Sequence, residues 1–293
     1  MPFPISEILG KDMPFIRIAD VGAMFLVGNN LDNNLDKLVQ EGHAQVIGFE
    51  PQKEECEKLN ARALAEAPRA DKVKRQYFPY FIGDGSRRKF YFTNAGYTSS
   101  LYEPDQELAQ HFENLAEVCR VTRVEEVQTT RLDDIPELGE VDFLKMDVQG
   151  AELDVIRGAR KTLQNVTVIQ TEVEYIPLYK GQPLFSDVDI ALREEGFLLH
   201  GMTSNFGACL KPFSSRTYRP YTQVLWCDYV YVKNFMHLGR LSSRQRLAMA
   251  VVLHEIYLSY DLVAFVLGVH DQIAQTRYKD FYLAKMFAAL NVS

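Results

Sequence analysis

The sequence predicts an α/β fold, a mostly parallel sheet with helices on both faces followed by a helical appendage, and three observations predict it. Short apolar runs repeatedly end in an acid or a small-residue turn and then give way to helical spacing. Asp20 and Glu50 close two such runs and stand one βαβ unit apart. Most telling is Val141-Asp-Phe-Leu-Lys-Met-Asp147-Val-Gln-Gly150-Ala-Glu152: Val141 to Met146 reads as a buried strand, and Leu153, Ile156 and Leu163 repeat at helical spacing as far as Gln164. The joint between them is a tight turn at Gln149-Gly150, where Gly150 suits a positive φ or a close backbone approach. Asp147 stands where the buried strand surfaces, and in an open α/β sheet that edge is where ligands bind. It has a second reading, as the cap of the helix that follows.

Length and composition set the frame. A chain of 293 residues, 47% of them apolar, buries a substantial core, and the pattern divides it into a domain of residues 1–234 and a helical extension of residues 235–293. A net charge of −7 leaves no electrostatic footprint for nucleic acid or an anionic membrane. Cys56, Cys119, Cys209 and Cys227 are widely spaced, as expected of reduced thiols in a cytoplasmic protein. Met-Pro-Phe-Pro-Ile-Ser-Glu lacks the basic and apolar regions of a signal peptide, and no apolar run has the length of a membrane span. The histidines lack metal-ligand spacing, so no metal is expected.

In chain order, residues 1–13 read as a lead-in helix and turn, and 15–20 as the first strand, ending in Asp20-Val-Gly22-Ala23 and the loop Met24-Phe-Leu-Val-Gly28-Asn-Asn. A helix over 31–40 leads to a second strand, 44–49, that closes on Glu50-Pro51. A carboxylate at this point accepts hydrogen bonds from both hydroxyls of a ribose, a logic that NAD enzymes share. Pro51 opens a helix with acids in its first turn, buried along Leu59, Ala63 and Leu64. The third strand, 75–82, is interrupted by Pro79 and ends at Gly83-Asp84-Gly85; a further strand covers 88–93. A polar loop with Thr98-Ser99-Ser100-Leu101 follows, then an amphipathic helix over 105–116 and an extended segment over 123–134. After the central block, a fifth strand, 166–172, exits through Glu172 and Glu174 into an aromatic, proline-rich loop around Tyr179 that reads as the wall of an acceptor site. A helix over 188–195 precedes strands at 197–201 and 224–232. Ser242 or Ser243 caps a helix bearing Leu247, Val251, His254 and Leu258, and a second runs from about 272 to 290. Their wide apolar faces require cover, from the sheet or from a second subunit in a homo-oligomer; His254 and His270 read as packed side chains rather than cofactor ligands.

Lys145-Met-Asp147-Val-Gln-Gly150-Ala-Glu152 resembles the signature of the FkbM family of S-adenosylmethionine-dependent methyltransferases, close to K-x-D-x-x-G-x-E, and the resemblance extends more thinly from Asp20 to about Val232. It implies a Rossmann-like, seven-stranded methyltransferase sheet with S-adenosylmethionine as cofactor. Asp20, Gly22, Ala23 and Gly28 would form the turn at its methionine end, although the family continues D-V-G-A-N-x-G where this chain has Met24 and keeps only Gly28. Glu50 and Pro51 would take the ribose, and Asp84 the adenine, unless Asp84 is a β-turn residue. Ser99 and Ser100 would lie on a loop over the active site, unless that loop is merely solvated, with Tyr179 in the acceptor wall. Asp147 is the first candidate for chemistry, Glu172 the second, and Glu152 orients the loop. Asp20, Glu50, Asp84, Asp147 and Glu172 all fall at strand ends, and such an acidic rim suits a sulfonium cation and repels a pyrophosphate. Together with the absence of G-x-G-x-x-G, this argues against an NAD-dependent oxidoreductase. The resemblance implies O-methylation of a sugar or secondary-metabolite hydroxyl on a small-molecule or glycan acceptor. The alternative is a catalytically silent relative kept as a binding scaffold.

Overall fold

Alternation along the strands sets the architecture. In the computed structural model, which describes residues 3–23, 30–67, 74–214 and 223–290, the strands are β1 (Ile16–Val21), β2 (Ala44–Phe49), β3 (Arg75–Phe78), β4 (Arg87–Thr93), β5 (Val121–Gln128), β6 (Phe143–Met146), β7 (Val168–Glu174), β8 (Phe197–Ala208) and β9 (Gln223–Lys233). Ile18, Phe143 and Val168 enter one core while their neighbours Ala19, Leu144 and Ile169 enter another. Successive side chains point to opposite faces, so a strand apolar at every position must be covered twice. The sheet order is β3-β2-β1-β6-β7-β9-β8. Its first five members are parallel and β9 runs against both β7 and β8. β4 and β5 form a separate antiparallel pair.

The helices are α1 (Ser6–Leu9), α2 (Asn30–Gln40), α3 (Lys53–Glu66), α4 (Gln106–Ala109), α5 (Leu115–Val118), α6 (Glu152–Arg157), α7 (Phe185–Glu194), α8 (Ser243–Glu255), α9 (Tyr260–Ala274) and α10 (Tyr278–Leu290). One sheet face is covered by α1, α2 and α8 to α10, the other by α6, α7 and the loops around them. Every residue of α8 from Arg246 to Glu255 is buried, the signature of a helix wrapped on all sides. Its capping box pairs the Gln245 amide with the Ser242 hydroxyl and the Ser242 amide with the Gln245 side chain. Arg244 binds both oxygens of buried Asp142 at 2.6 and 2.9 Å, fixing α8 to the start of β6.

Several expected boundaries are corrected. The helix expected over 105–116 is two short ones, because Asn114 adopts φ 61° between them. The third strand stops at Phe78, before Pro79 removes an amide donor. The helix expected to reach Gln164 ends at Arg157 and resumes as a 3-10 turn at Thr162–Gln164. Gly158 is pressed there against the Gly83 carbonyl, where a Cβ would come within 2.1 Å. Among the described residues after 242 there are three helices, not two, with breaks where Leu258 and Gln275 take positive φ. The sixth strand is longer than its apolar start, continuing to Ala208 along β9.

Candidate active site

The chain builds β1, β2 and β3 outward on one side and then crosses back to place β6 against β1. At such a switch point the connections leave in opposite directions and open a crevice at the carboxyl ends of the strands. The two ends are locked together: the Asp147 amide donates to the Val21 carbonyl at 2.9 Å. Gly22, at φ +78°, lies so close to the Asp147 carbonyl that a Cβ would come within 1.8 Å of it. The glycine of the first motif is therefore required by the neighbouring turn. That turn is made by Gln149 and Gly150 at φ 55° and 92°, and Glu152 accepts the Val148 amide at 2.8 Å to hold it.

A cavity of about 470 Å³ opens above this joint. Gly22, Glu50, Pro51, Gln52 and Tyr80 line one part; Asp147, Gln149, Glu172, Glu174, Trp226 and Asp228 line another; Tyr97, Ser99 and Leu101 of the loop after β4 and Tyr179 of the loop after β7 complete the lining. Glu50 is buried, accepts the Gln52 amide at 2.7 Å, and is pushed up to about 7 by burial. The donor set fits a nucleoside carrying positive charge. Glu50 is an acceptor at the end of β2, the walls near it are aromatic and apolar, and the deeper wall is rich in carboxylates.

The carboxylate wall is organised by one amide. Gln149 Nε2 donates to Asp147 Oδ1 at 2.9 Å and to Glu172 Oε1 at 2.8 Å, while its Oε1 accepts the Tyr179 hydroxyl at 2.8 Å. Strand register supplies the rest: Glu172 lies opposite Asp228, and Glu174 opposite Trp226, which stacks on Phe206 with centroids 5.4 Å apart. Burial raises Asp147, and the Lys145 ammonium opposes that shift. Glu172 is raised well above its ordinary range, first by burial and then by the charges of Asp147, Glu174 and Asp228. Glu174 is pushed up to about 8, again by burial first.

Not every residue singled out in the sequence reaches the cavity. Glu50, Pro51, Gly22, Asp147, Glu172, Ser99 and Tyr179 line it. Asp20 instead accepts from Lys145 Nζ at 3.1 Å, and Ala23 is buried against Cys56, Ala63 and Tyr77. Glu152 serves the turn, in keeping with the loop-orienting role, and does not line the cavity. Asp84 accepts from the amide of Ser86 at 2.9 Å and from its hydroxyl, as its β-turn reading expects, and does not line the cavity. Ser100 is buried and donates to the Gln149 carbonyl at 2.7 Å, so the loop is not simply solvated. The capping reading of Asp147 is also corrected, because Ala151 is the N-cap of α6 and has no side-chain cap bond. Gly28 and its loop lie outside the described residues. Sequence reasoning missed Gln149 as a side chain, together with Asp228 and Trp226. Gln149 sat inside the motif, and Glu174 two positions from Glu172 could have been placed on the same strand face. Nothing local marks the β9 residues.

Among the described residues no cluster of His, Cys, Asp or Glu is arranged to hold a metal ion, and no helix is long and apolar enough to cross a membrane. The family described as the methyltransferase FkbM domain matches residues 20–199. The 2-O-methyltransferase NoeI of Sinorhizobium fredii (strain NBRC 101917 / NGR234) is 32% identical over 158 residues, which is 50% of this chain and 61% of NoeI, so the chain spans less than two thirds of that relative. Among solved structures, the methyltransferase FkbM from Methylobacillus flagellatus KT aligns at 14% identity over 78% of this chain and 48% of its own, with a TM-score of 0.39. Magnesium protoporphyrin IX methyltransferase (ChlM) from Synechocystis PCC 6803, with bound S-adenosylmethionine, aligns at 13% identity over 78% and 76%, with a TM-score of 0.38. The family match covers most of the chain, including the switch point and its K-x-D-x-x-G-x-E turn, and it sets the NAD reading aside. The chain belongs to the FkbM-domain methyltransferases, whose cofactor is S-adenosylmethionine.

Proposed function

We propose that this methyltransferase acts on a hydroxyl oxygen of a small sugar or secondary-metabolite acceptor, with Asp147 receiving the proton. The supporting observation is the inequality of two adjoining carboxyls in one wall. Burial and then neighbouring acids raise both groups, but the Lys145 ammonium opposes the shift of Asp147 while Glu172 is ringed by Asp147, Glu174 and Asp228. Neighbouring acids raised unequally in this way divide the roles: Asp147 is the base, and Glu172, raised further, gives up its proton less readily. A hydroxyl must give up its proton as the new C–O bond forms, whereas an amine can accept a methyl group first and lose a proton later; a buried base therefore favours oxygen. The activity named for the 2-O-methyltransferase relative agrees with this reading.

When bound, S-adenosylmethionine supplies a methyl group already activated on a sulfonium. The remaining work belongs to the protein. Glu50 would accept the ribose hydroxyls, and Pro51 and Tyr80 would wall that region. The loop bearing Ser99, together with Tyr179 and Leu101, excludes water and bounds the acceptor. As the acceptor oxygen attacks, its proton passes to an Asp147 oxygen and the C–S bonding pair stays on sulfur.

The test is transfer from methyl-labelled S-adenosylmethionine to a panel of sugars, glycosides and phenols, with the methylated atom located by NMR. Trp226 is the sole tryptophan of the chain and lines the cavity, so its fluorescence reports binding independently. O-methyl product is expected. N-methyl product would overturn the choice of atom, and cofactor binding with no transfer to any acceptor would point to the binding-scaffold alternative.

A further inference from the structure

Gln149 occupies a backbone conformation that non-glycine residues adopt sparingly, with φ 55°, directly before Gly150 at φ 92°. The side chain placed by that turn is tied on every polar atom. Its two amide hydrogens go to two different carboxylates, Asp147 at 2.9 Å and Glu172 at 2.8 Å. Its oxygen accepts the Tyr179 hydroxyl at 2.8 Å, and its main-chain carbonyl accepts Ser100 Oγ at 2.7 Å. Rotating the amide by half a turn would present oxygen to two carboxylates and NH₂ to a hydroxyl, so these partners fix its orientation. Four separate pieces of chain thus meet on one residue: the turn after β6, strand β7, the loop after β7 and the loop after β4.

We propose that Gln149 is a positioning residue for methyl transfer, holding the Asp147 and Glu172 carboxylates at a set separation and supporting their charged forms with one N–H each. An uncharged double donor is the chemistry this place requires. The groups facing the two carboxylates are Lys145 on β6, paired with Asp20 on β1, then Glu174 on β7, Asp228 on β9, Glu152 at the start of α6 and Tyr179 beyond β7. Lysine is the one cation of that group. A carboxylate at position 149 would add repulsion, and an apolar side chain would leave two buried acids without their donor. Because an N–H given to a carboxylate favours its ionised form, removing it raises both acids together.

This inference rests on Asp147 being the base, yet it can be tested with S-adenosylmethionine alone. The ligand is cationic, so its binding releases protons from the acids around it, and the number released is obtained by calorimetry in buffers of different ionisation enthalpy. In Gln149→Met, of similar size but without donors, the pH midpoint of cofactor binding should rise by about one unit, with more protons released at neutral pH. Tyr179→Phe removes a single hydroxyl and keeps the packing; it should move the midpoint in the same direction by less, and it decides the matter if Gln149→Met does not fold. Once an acceptor is found, the pH profile of transfer should move likewise. Wild-type linkage in a folded Gln149→Met, or in Tyr179→Phe if that is the variant that folds, would overturn the proposal. A shifted linkage with normal turnover in Asp147→Asn would instead remove the base assignment and leave Gln149 as a determinant of cofactor affinity.

Discussion

At the scale of single residues, Glu50 and Asp147 make separable predictions. Burial lets Glu50 keep its proton up to about pH 7, and its charged form is the better acceptor for two hydroxyls. Cofactor affinity should therefore climb as pH rises through 7. Glu50→Gln should cost about 1.5–3 kcal/mol of binding at pH 8 and flatten much of that climb, as measured by calorimetric titration. Asp147→Asn keeps shape and loses basicity. Turnover should fall by roughly 10²- to 10⁴-fold with a much smaller change in cofactor affinity, and unchanged turnover would exclude the base role. The sequence displayed these two residues because each follows an apolar run directly, so position in one dimension gave position at the sheet edge. It could not display Asp228 or Trp226. They belong to the wall only because β9 pairs in antiparallel register with β7, and register between distant strands leaves no local mark. Asp84 shows the converse: β3 ends at Phe78, well before it, and Ser86 two residues on offers it a near partner.

At the scale of elements, the turn joining β6 to α6 and the end of β1 behave as one unit. Gly22→Ala would place a methyl within 1.8 Å of the Asp147 carbonyl at a φ that favours glycine. Either β1 or the turn after β6 must move, so this substitution, far from that turn in sequence, should cost on the order of 2–4 kcal/mol in stability and depress turnover as well. A thermal melt and a rate measurement on the same sample check both effects. The glycine was legible as part of a motif, while its reason was not, since the obstructing carbonyl lies 125 residues further along. Helix ends were legible where chemistry marks them, as at the Ser242 capping box. They were not legible where an ordinary residue takes a left-handed turn, as Asn114, Leu258 and Gln275 do. Apolar periodicity there continues across a break that packing imposes.

For the whole molecule, the buried acids couple stability to pH. Glu50 and Glu174, raised to about 7 and 8, hold protons in the folded chain that the unfolded chain releases above its ordinary carboxyl range. Their contribution is full in acid and is lost as pH rises through 7 and 8. The ligand-free protein should accordingly melt at a lower temperature near pH 8.5 than near pH 5.5, and S-adenosylmethionine should narrow the gap by supplying positive charge. A ligand-free melting temperature that rises over this interval would contradict the charge assignment. The same view explains why residues 235–293 are expected to be indispensable: α8 to α10 cover one face of the sheet. A chain stopped at residue 234 should be insoluble or self-associating by gel filtration, because that face would be bare. The contacts that seal it join distant parts of the chain, His254 Nε2 with the Phe3 carbonyl at 2.8 Å and Glu255 with the Ile5 amide at 2.6 Å. On a ribosome adding about 5–20 residues per second, Phe3 and Ile5 would wait on the order of ten seconds or more for their partners to be made. During that interval the nascent sheet carries one naked apolar side, making the growing polypeptide a natural client for chaperones and its yield sensitive to the pace of translation.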